Sequence, residues 1–199
     1  MKLIKKIFIK LKQYIIFKIF KVIIQQKGKQ FETFFNLFSK FNKSVKIKTR
    51  FINNSYFIID KNKTYKFFPI ERINIYAKGL EYRISTLKNE YLLHNLELKD
   101  QDIIIDIGAN NGDFYLCFNN KIEYYGYEPS PTVFLNLVHN VKNQNLFNLG
   151  LSDTVNKSVQ FYLDDEGGNS SIVPINNYSK KISIETTTLD REIDKIQKK

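Results

Sequence analysis

The chain has 199 residues, 43% of them apolar, enough for one domain of ordinary size with an extension and too apolar for a disordered chain. Its net charge of +11 is lopsided: the first fifty residues hold fourteen Lys/Arg against one Glu, the rest seventeen against nineteen acids, so the basic character belongs to the N-terminus. A single cysteine, Cys117, excludes an internal disulfide and reads as a small apolar residue on a helix, and no metal-ligand cluster is visible.

In residues 2–24, Leu3, Ile4, Ile7, Phe8, Leu11, Ile15, Phe17 and Ile19 recur at mostly helical spacing between lysines, which predicts a basic helix. Its longest uncharged run is far short of the ~20 residues that a membrane-spanning helix needs. A secretory signal would carry a continuous apolar segment and a small-residue cleavage site, and neither is present. The segment suits a helix lying on an anionic membrane; the alternative is a helix packed on its own domain or on a partner, with a solvated Lys face. No nucleic acid is expected, for want of a base-stacking motif. The expected location is cytoplasmic, peripheral on the inner face of the membrane. Gly28 ends this helix, and Phe31 to Phe41 forms a second, completing a basic helical extension over residues 1–42.

Residues 43–79 read as a small β-hairpin module. Val45, Ile47 and Thr49 alternate into Phe51, Tyr56 to Ile59 follows, Asp60 to Lys63 is a turn cluster, and Thr64 to Phe68 returns before Pro69. The main domain, 80–199, opens with a helix from Leu80 to Leu93 that carries Leu80, Ile84, Leu87, Tyr91 and Leu92 on one face and ends at His94.

The most informative stretch is Ile103 to Asp113. A near-continuous apolar run suggests a parallel strand buried on both faces, interrupted only by Asp106. Gly108 and Gly112 let the backbone turn tightly and approach a ligand, and a helix is expected from Asp113, its free N–H groups suited to an anionic ligand group. The spacing Gly108-x-x-x-Gly112 fails the dinucleotide pattern G-x-G-x-x-G. Asp106 would repel a pyrophosphate and suit the ammonium of a methionine moiety, which points to S-adenosylmethionine. A second strand, Glu123 to Tyr127, ends at Glu128, an acid placed to accept ribose hydroxyls. Pro131 to Val141 is then a helix with Phe134, Leu137, Val138 and Val141 inward and His139 structural.

These blocks resemble the FkbM-type S-adenosylmethionine-dependent methyltransferases. The resemblance rests on Asp106-Ile-Gly-Ala-Asn-Asn-Gly112, Tyr127-Glu-Pro-Ser-Pro through Asn140, Asn148-Leu-Gly-Leu-Ser-Asp153, Gly168-Asn-Ser-Ser171 and Thr186-Thr-Thr-Leu-Asp190, and covers about residues 80–190. It implies an α/β, Rossmann-like class I methyltransferase fold with a mostly parallel sheet. It implies that Asp106, Gly108, Ala109, Asn110 and Gly112 line the methionine end of the donor, that Glu128 holds the ribose, and that Leu151 and Ser152 lie near the adenine. It implies S-adenosylmethionine as cosubstrate and a sugar or other glycan- or lipid-linked hydroxyl as acceptor, in surface polysaccharide biosynthesis.

Two departures stand out. Tyr115 occupies a position where family members often carry Ser or Thr, and could crowd or reshape the site. The family pattern also continues past T-T-T-L-D to a strand bearing K-[IV]-D-x-E-G, whereas here Arg191 to Lys199 follows. A C-terminally truncated member is the expectation, with the donor half present, an exposed apolar sheet edge, and no catalytic base assigned. Asp164, Asp165 and Glu166 read as a solvated turn. The alternative reading is an inactive remnant, or a donor-binding module without turnover.

Overall fold

The lysine-rich start forms one long helix, α1 (Lys2–Ile24), followed by α2 (Gly28–Phe41), in the computed structural model, which describes residues 2–118, 122–142, 144–164, 168–176 and 178–198. Gly28 takes a φ of +59°, and its N–H donates to the Tyr56 hydroxyl at 2.7 Å, which fixes the corner. Among the described residues, only Phe20 and Ile23 of α1 are buried, and the Phe20 ring sits 5.9 Å from that of Phe38 in α2. No described helix is long and apolar enough to cross a membrane.

The alternating stretch that follows is a three-stranded antiparallel meander rather than a single hairpin: β1 (Lys48–Ile52), β2 (Ser55–Asp60) and β3 (Lys63–Phe67). Asn53 and Asn54, both at positive φ, make the tight turn between β1 and β2 whose twist matches antiparallel strands. Both edges of this sheet are closed by side-chain amides. Asn36 of α2 accepts from the Thr49 N–H at 2.7 Å and donates to the Thr49 carbonyl at 2.8 Å. On the far edge, Asn140 accepts from the Lys66 N–H at 2.8 Å and donates to the Lys66 carbonyl at 2.6 Å. Each amide satisfies the N–H and carbonyl of one edge residue as a neighbouring strand would.

A 3-10 turn (Ile70–Arg72), the short α3 (Ile73–Tyr76) and α4 (Leu80–Glu90) lead into the second half. Asp60, at the β2 turn, accepts from the Leu80 N–H at 2.7 Å and so satisfies an open donor at the start of α4. This helix is shorter than expected. Leu92 takes a left-handed φ of +52°, the chain tightens into a 3-10 turn (Leu93–Asn95) that carries exposed His94, and Tyr91 and Leu92 face solvent instead of the core.

The parallel sheet has the order β4 (Ile103–Ile107), β5 (Glu123–Tyr127), β6 (Asn145–Phe147), with Asp106 beside Gly126 in register. Helix α5 (Pro131–Asn140) covers one face and buries Val133, Asn136 and Leu137; Val138, expected inside, is exposed. Strand β4 is not buried on both faces. It pairs only with β5 among the described residues, and Ile103 and Ile107 are 48% and 52% exposed.

The rest is not a continuation of that sheet. Strands β7 (Gly150–Leu151), β8 (Asn156–Asp164) and β9 (Tyr178–Thr187) form a third sheet, ordered β7-β9-β8, in which β8 and β9 run antiparallel. No helix crosses over between β8 and β9 among the described residues, so the chain returns alongside itself. The fold is therefore mixed α/β with one parallel sheet, less uniformly parallel than expected. The T-T-T-L-D block ends β9 and starts α6 (Leu189–Gln197): Thr186 donates to the Thr154 carbonyl at 3.0 Å, Thr187 to Glu192 at 2.8 Å, and Thr188 accepts from the Arg191 N–H as the helix cap.

The two halves meet at Asp113. Its buried carboxylate accepts from the Tyr65 hydroxyl at 2.7 Å, the Tyr76 hydroxyl at 2.5 Å and the Arg83 Nε at 2.8 Å. No helix begins here as expected. One 3-10 turn (Phe114–Cys117) follows, and the Asp113 side chain makes no capping bond to it. Replacing Asp113 by Asn leaves part-buried Arg83 without this counter-charge and should lower the unfolding free energy by about 3 kcal/mol in urea titrations, against about 1 kcal/mol for Tyr65→Phe.

Candidate active site

The loop after β4 is shaped by backbone geometry. The N–H groups of Gly108 and Ala109 both donate to the Tyr127 carbonyl at 2.9 Å, folding the chain sharply over the end of β5. Gly108 (φ +77°) faces open space, and a Cβ there would meet nothing within 4 Å. Gly112 (φ +88°) is the opposite case: a Cβ would lie 2.6 Å from Val141 Cγ2 and 3.1 Å from Leu137 Cδ1. The first glycine leaves room for a ligand, whereas the second lets the loop seat against α5.

Asn111, fully buried, pins the same loop to the N-terminal half. Its amide donates to the Phe68 carbonyl at 3.0 Å and accepts from the Phe68 N–H at 3.2 Å and from Asn136 at 3.0 Å. Its carbonyl accepts from Tyr65 at 2.7 Å and Asn140 at 2.7 Å. Sequence reading missed this residue and Asp113, since their partners lie as far as 48 residues away. The polar Asn136 and Asn140 on the inner side of α5 were the available signal.

Glu128 follows β5 and is 5% exposed. Its two oxygens accept from the Asn110 N–H at 2.9 Å and the Ser130 N–H at 2.8 Å. Burial raises its carboxyl to about 7, with Asp106 adding repulsion and the two N–H bonds partly offsetting both. Asn148, from the N-x-G-L-S-D block, donates to the Glu128 and Pro129 carbonyls at 2.7 and 3.1 Å and holds this corner in place.

A cleft of about 1230 Å³ opens beside Glu128. It is lined by Gly108 and Asn110 of the loop, Leu151 of β7, Phe161 and Ile184 of β8 and β9, and Lys66 and Phe68 of the N-terminal half. Four of the expected donor residues, Gly108, Asn110, Glu128 and Leu151, thus share one cavity. Asp106, Ala109, Gly112 and Ser152 do not line it. Asp106 accepts a hydrogen bond from the Tyr124 hydroxyl, and burial lifts its carboxyl to about 6. Ala109 is buried behind the loop, and the Ser152 hydroxyl turns to Asp153 at 2.9 Å.

Tyr115 does not crowd the cleft. Its ring packs edge-on against Tyr124 at 5.0 Å, behind the loop. Cys117 is buried on the 3-10 turn rather than on an α-helix, and burial pushes its thiol up to about 11, as befits an unreactive packing residue. Of the expected solvated acidic turn, Asp164 accepts from the Gly168 and Asn169 N–H groups at 3.0 Å each, while Asp165 and Glu166 lie outside the described residues. Among the described residues, no group of His, Cys and acids could hold a metal ion.

The glycines yield a paired prediction. Gly112→Ala should lower the thermal midpoint by several degrees through collision with Val141, whereas Gly108→Ala, facing open space, should cost only its backbone strain of about 1 kcal/mol. The two raised carboxyls give a second. Folded Asp106 and Glu128 keep their protons to about 6 and 7, where the unfolded chain has released them. Their contribution to stability is full below about pH 4 and is lost as pH rises through about 6 to 7. Thermal melts at pH 5 and pH 8 should therefore differ less in Asp106→Asn, which keeps a Tyr124 acceptor, than in the parent protein.

No curated protein and no solved structure matches the chain. Residues 106–199, from the loop acid through α6, match the family model described as Methyltransferase FkbM domain, and over that stretch the chain is similar to the FkbM-type methyltransferases.

Proposed function

We propose that the cleft beside Glu128 binds S-adenosylmethionine and that the protein transfers its methyl group to a hydroxyl of a sugar or other glycan- or lipid-linked acceptor. The observation that carries the reading is Glu128 itself: a buried carboxylate, held by two backbone N–H groups, lining a cavity together with Gly108, which faces open space. Each Glu128 oxygen keeps acceptor capacity beyond its one N–H bond, which suits a vicinal pair of ribose hydroxyls. Leu151 offers an apolar wall to a purine, and the Gly108–Asn110 backbone is close enough to the cavity to meet the amino-acid end. Asp106 would act through the loop rather than on the donor, since its carboxylate is turned to Tyr124.

The donor supplies an electrophilic methyl on a sulfonium. The protein's part is to align it with the acceptor oxygen and to exclude water. The apolar side chains of Phe161 and Ile184 face the cleft from the β8–β9 hairpin and suit the second task.

Titration calorimetry tests this. Binding of S-adenosylmethionine or its demethylated product should strengthen between pH 6 and pH 8, because the hydroxyl acceptor is the ionised Glu128 carboxyl, raised to about 7 by burial. Glu128→Gln, which keeps an acceptor for only one of the two backbone N–H groups, should weaken binding roughly ten- to hundredfold and flatten that pH dependence, with circular dichroism checking that the variant is folded. Absence of any binding heat with folded protein would overturn the assignment.

A further inference from the structure

We infer that α1 is a membrane-docking element, seated by its unpacked face on the surface of an anionic lipid bilayer. The helix buries only one side. At about 100° per residue, Phe20 and Ile23 point one way, with half-buried Ile16 between them. On the opposite side, Ile7, Leu11, Tyr14, Ile15, Ile19 and Val22 fall within an arc of about 140°. All six are exposed, and nothing in the described chain covers them.

The charges fit one kind of surface. Exposed Lys6, Lys10 and Lys21 flank the apolar arc on one side and exposed Lys12 on the other, while Lys18 sits within it, its ammonium 5.4 Å from the Tyr14 ring. No acidic residue occurs before Glu32. An apolar strip bordered by lysines matches an interface between acyl chains and anionic headgroups, with lysine stems lying along the strip and ammonium groups reaching the phosphates. A nucleic acid would use the lysines and leave the apolar arc in water. The helix is not apolar enough to span the bilayer, so it lies on the surface.

The far end of α1 adjoins the cleft, which Lys27 lines together with Tyr56. A helix held on the bilayer therefore keeps one rim of the cleft close to the headgroups. On the methyl-transfer reading above, this favours an acceptor hydroxyl carried by a membrane-attached molecule.

The test is co-sedimentation of the full chain with vesicles of phosphatidylglycerol and phosphatidylcholine, against phosphatidylcholine alone. Binding should require the anionic lipid and fall with added salt. Ile7→Ser/Leu11→Ser/Ile15→Ser/Val22→Ser should reduce it at least roughly tenfold without changing far-ultraviolet circular dichroism, because those side chains pack on nothing. The chain has no tryptophan, so Leu11→Trp provides a separate reporter whose emission should shift to the blue on adding anionic vesicles. Absence of parent-protein binding, an unshifted Leu11→Trp spectrum, or full binding by the serine variant would overturn the proposal. So would a concentration-dependent dimer that the serine variant abolishes, since a second copy would then be the occupant.

Discussion

A single buried carboxylate holds the two halves of this molecule in register. Asp113 draws Tyr65 from β3, Tyr76 from α3 and Arg83 from α4 onto the loop that follows β4. Such a group is costly to desolvate and is tolerated only when its lone pairs are filled and a counter-charge is near. Arg83 supplies the charge and the phenols supply the filling, both hydroxyls held in their protonated form by burial and by the adjacent Asp113 charge. The consequence is positional. With Asp113 anchored and Asn111 clamped to Phe68, the intervening loop has little freedom, and Gly108 and Asn110 are presented to the cleft at a set angle.

A second economy recurs across the structure: side-chain amides replace strands. Asn36 and Asn140 close the two edges of the meander with paired bonds to one residue each, and Asn136 completes Asn111. Asn140 also reaches the Asn111 carbonyl, so the residue that caps the meander touches the loop over which α5 packs. On the opposite side of the parallel sheet, Glu192 of α6 plays the matching part. Burial alone would raise its carboxyl, but bonds from Lys195, Thr187 and Tyr127 outweigh burial and hold it below the usual range. The chain thus fastens both faces of the parallel sheet with polar groups that are satisfied internally.

Much of the site could be read from local pattern. The strand-acid-glycine stretch and the acid after the next strand both lie at the carboxyl edge of the parallel strands β4 and β5, where open α/β sheets place their ligand loops. The roles within that stretch were harder to read. Gly108 and Gly112 look equivalent in sequence, but one borders empty space and the other the Val141 side chain. Asp106 and Asp113 look like site and cap, yet one is turned to Tyr124 and the other is the structural hub. Local pattern says that an acid must be somewhere specific; it does not say which distant hydroxyl it will meet.

What the sequence alone determined is what short-range physics controls: the long basic helix, the Asp60–Lys63 turn, the glycine-bent loop, the order of the blocks shared with the FkbM-type methyltransferases, and the carboxylate after β5. Tertiary structure decided the rest. It opened β4 to solvent, turned β8 back against β9, exposed one arc of α1 while burying the other, and chose which carboxylates reach the cleft. Backbone preference acts over a few residues, so it can be read along the chain; burial and partner choice depend on residues tens of positions apart, and only the folded chain brings them together.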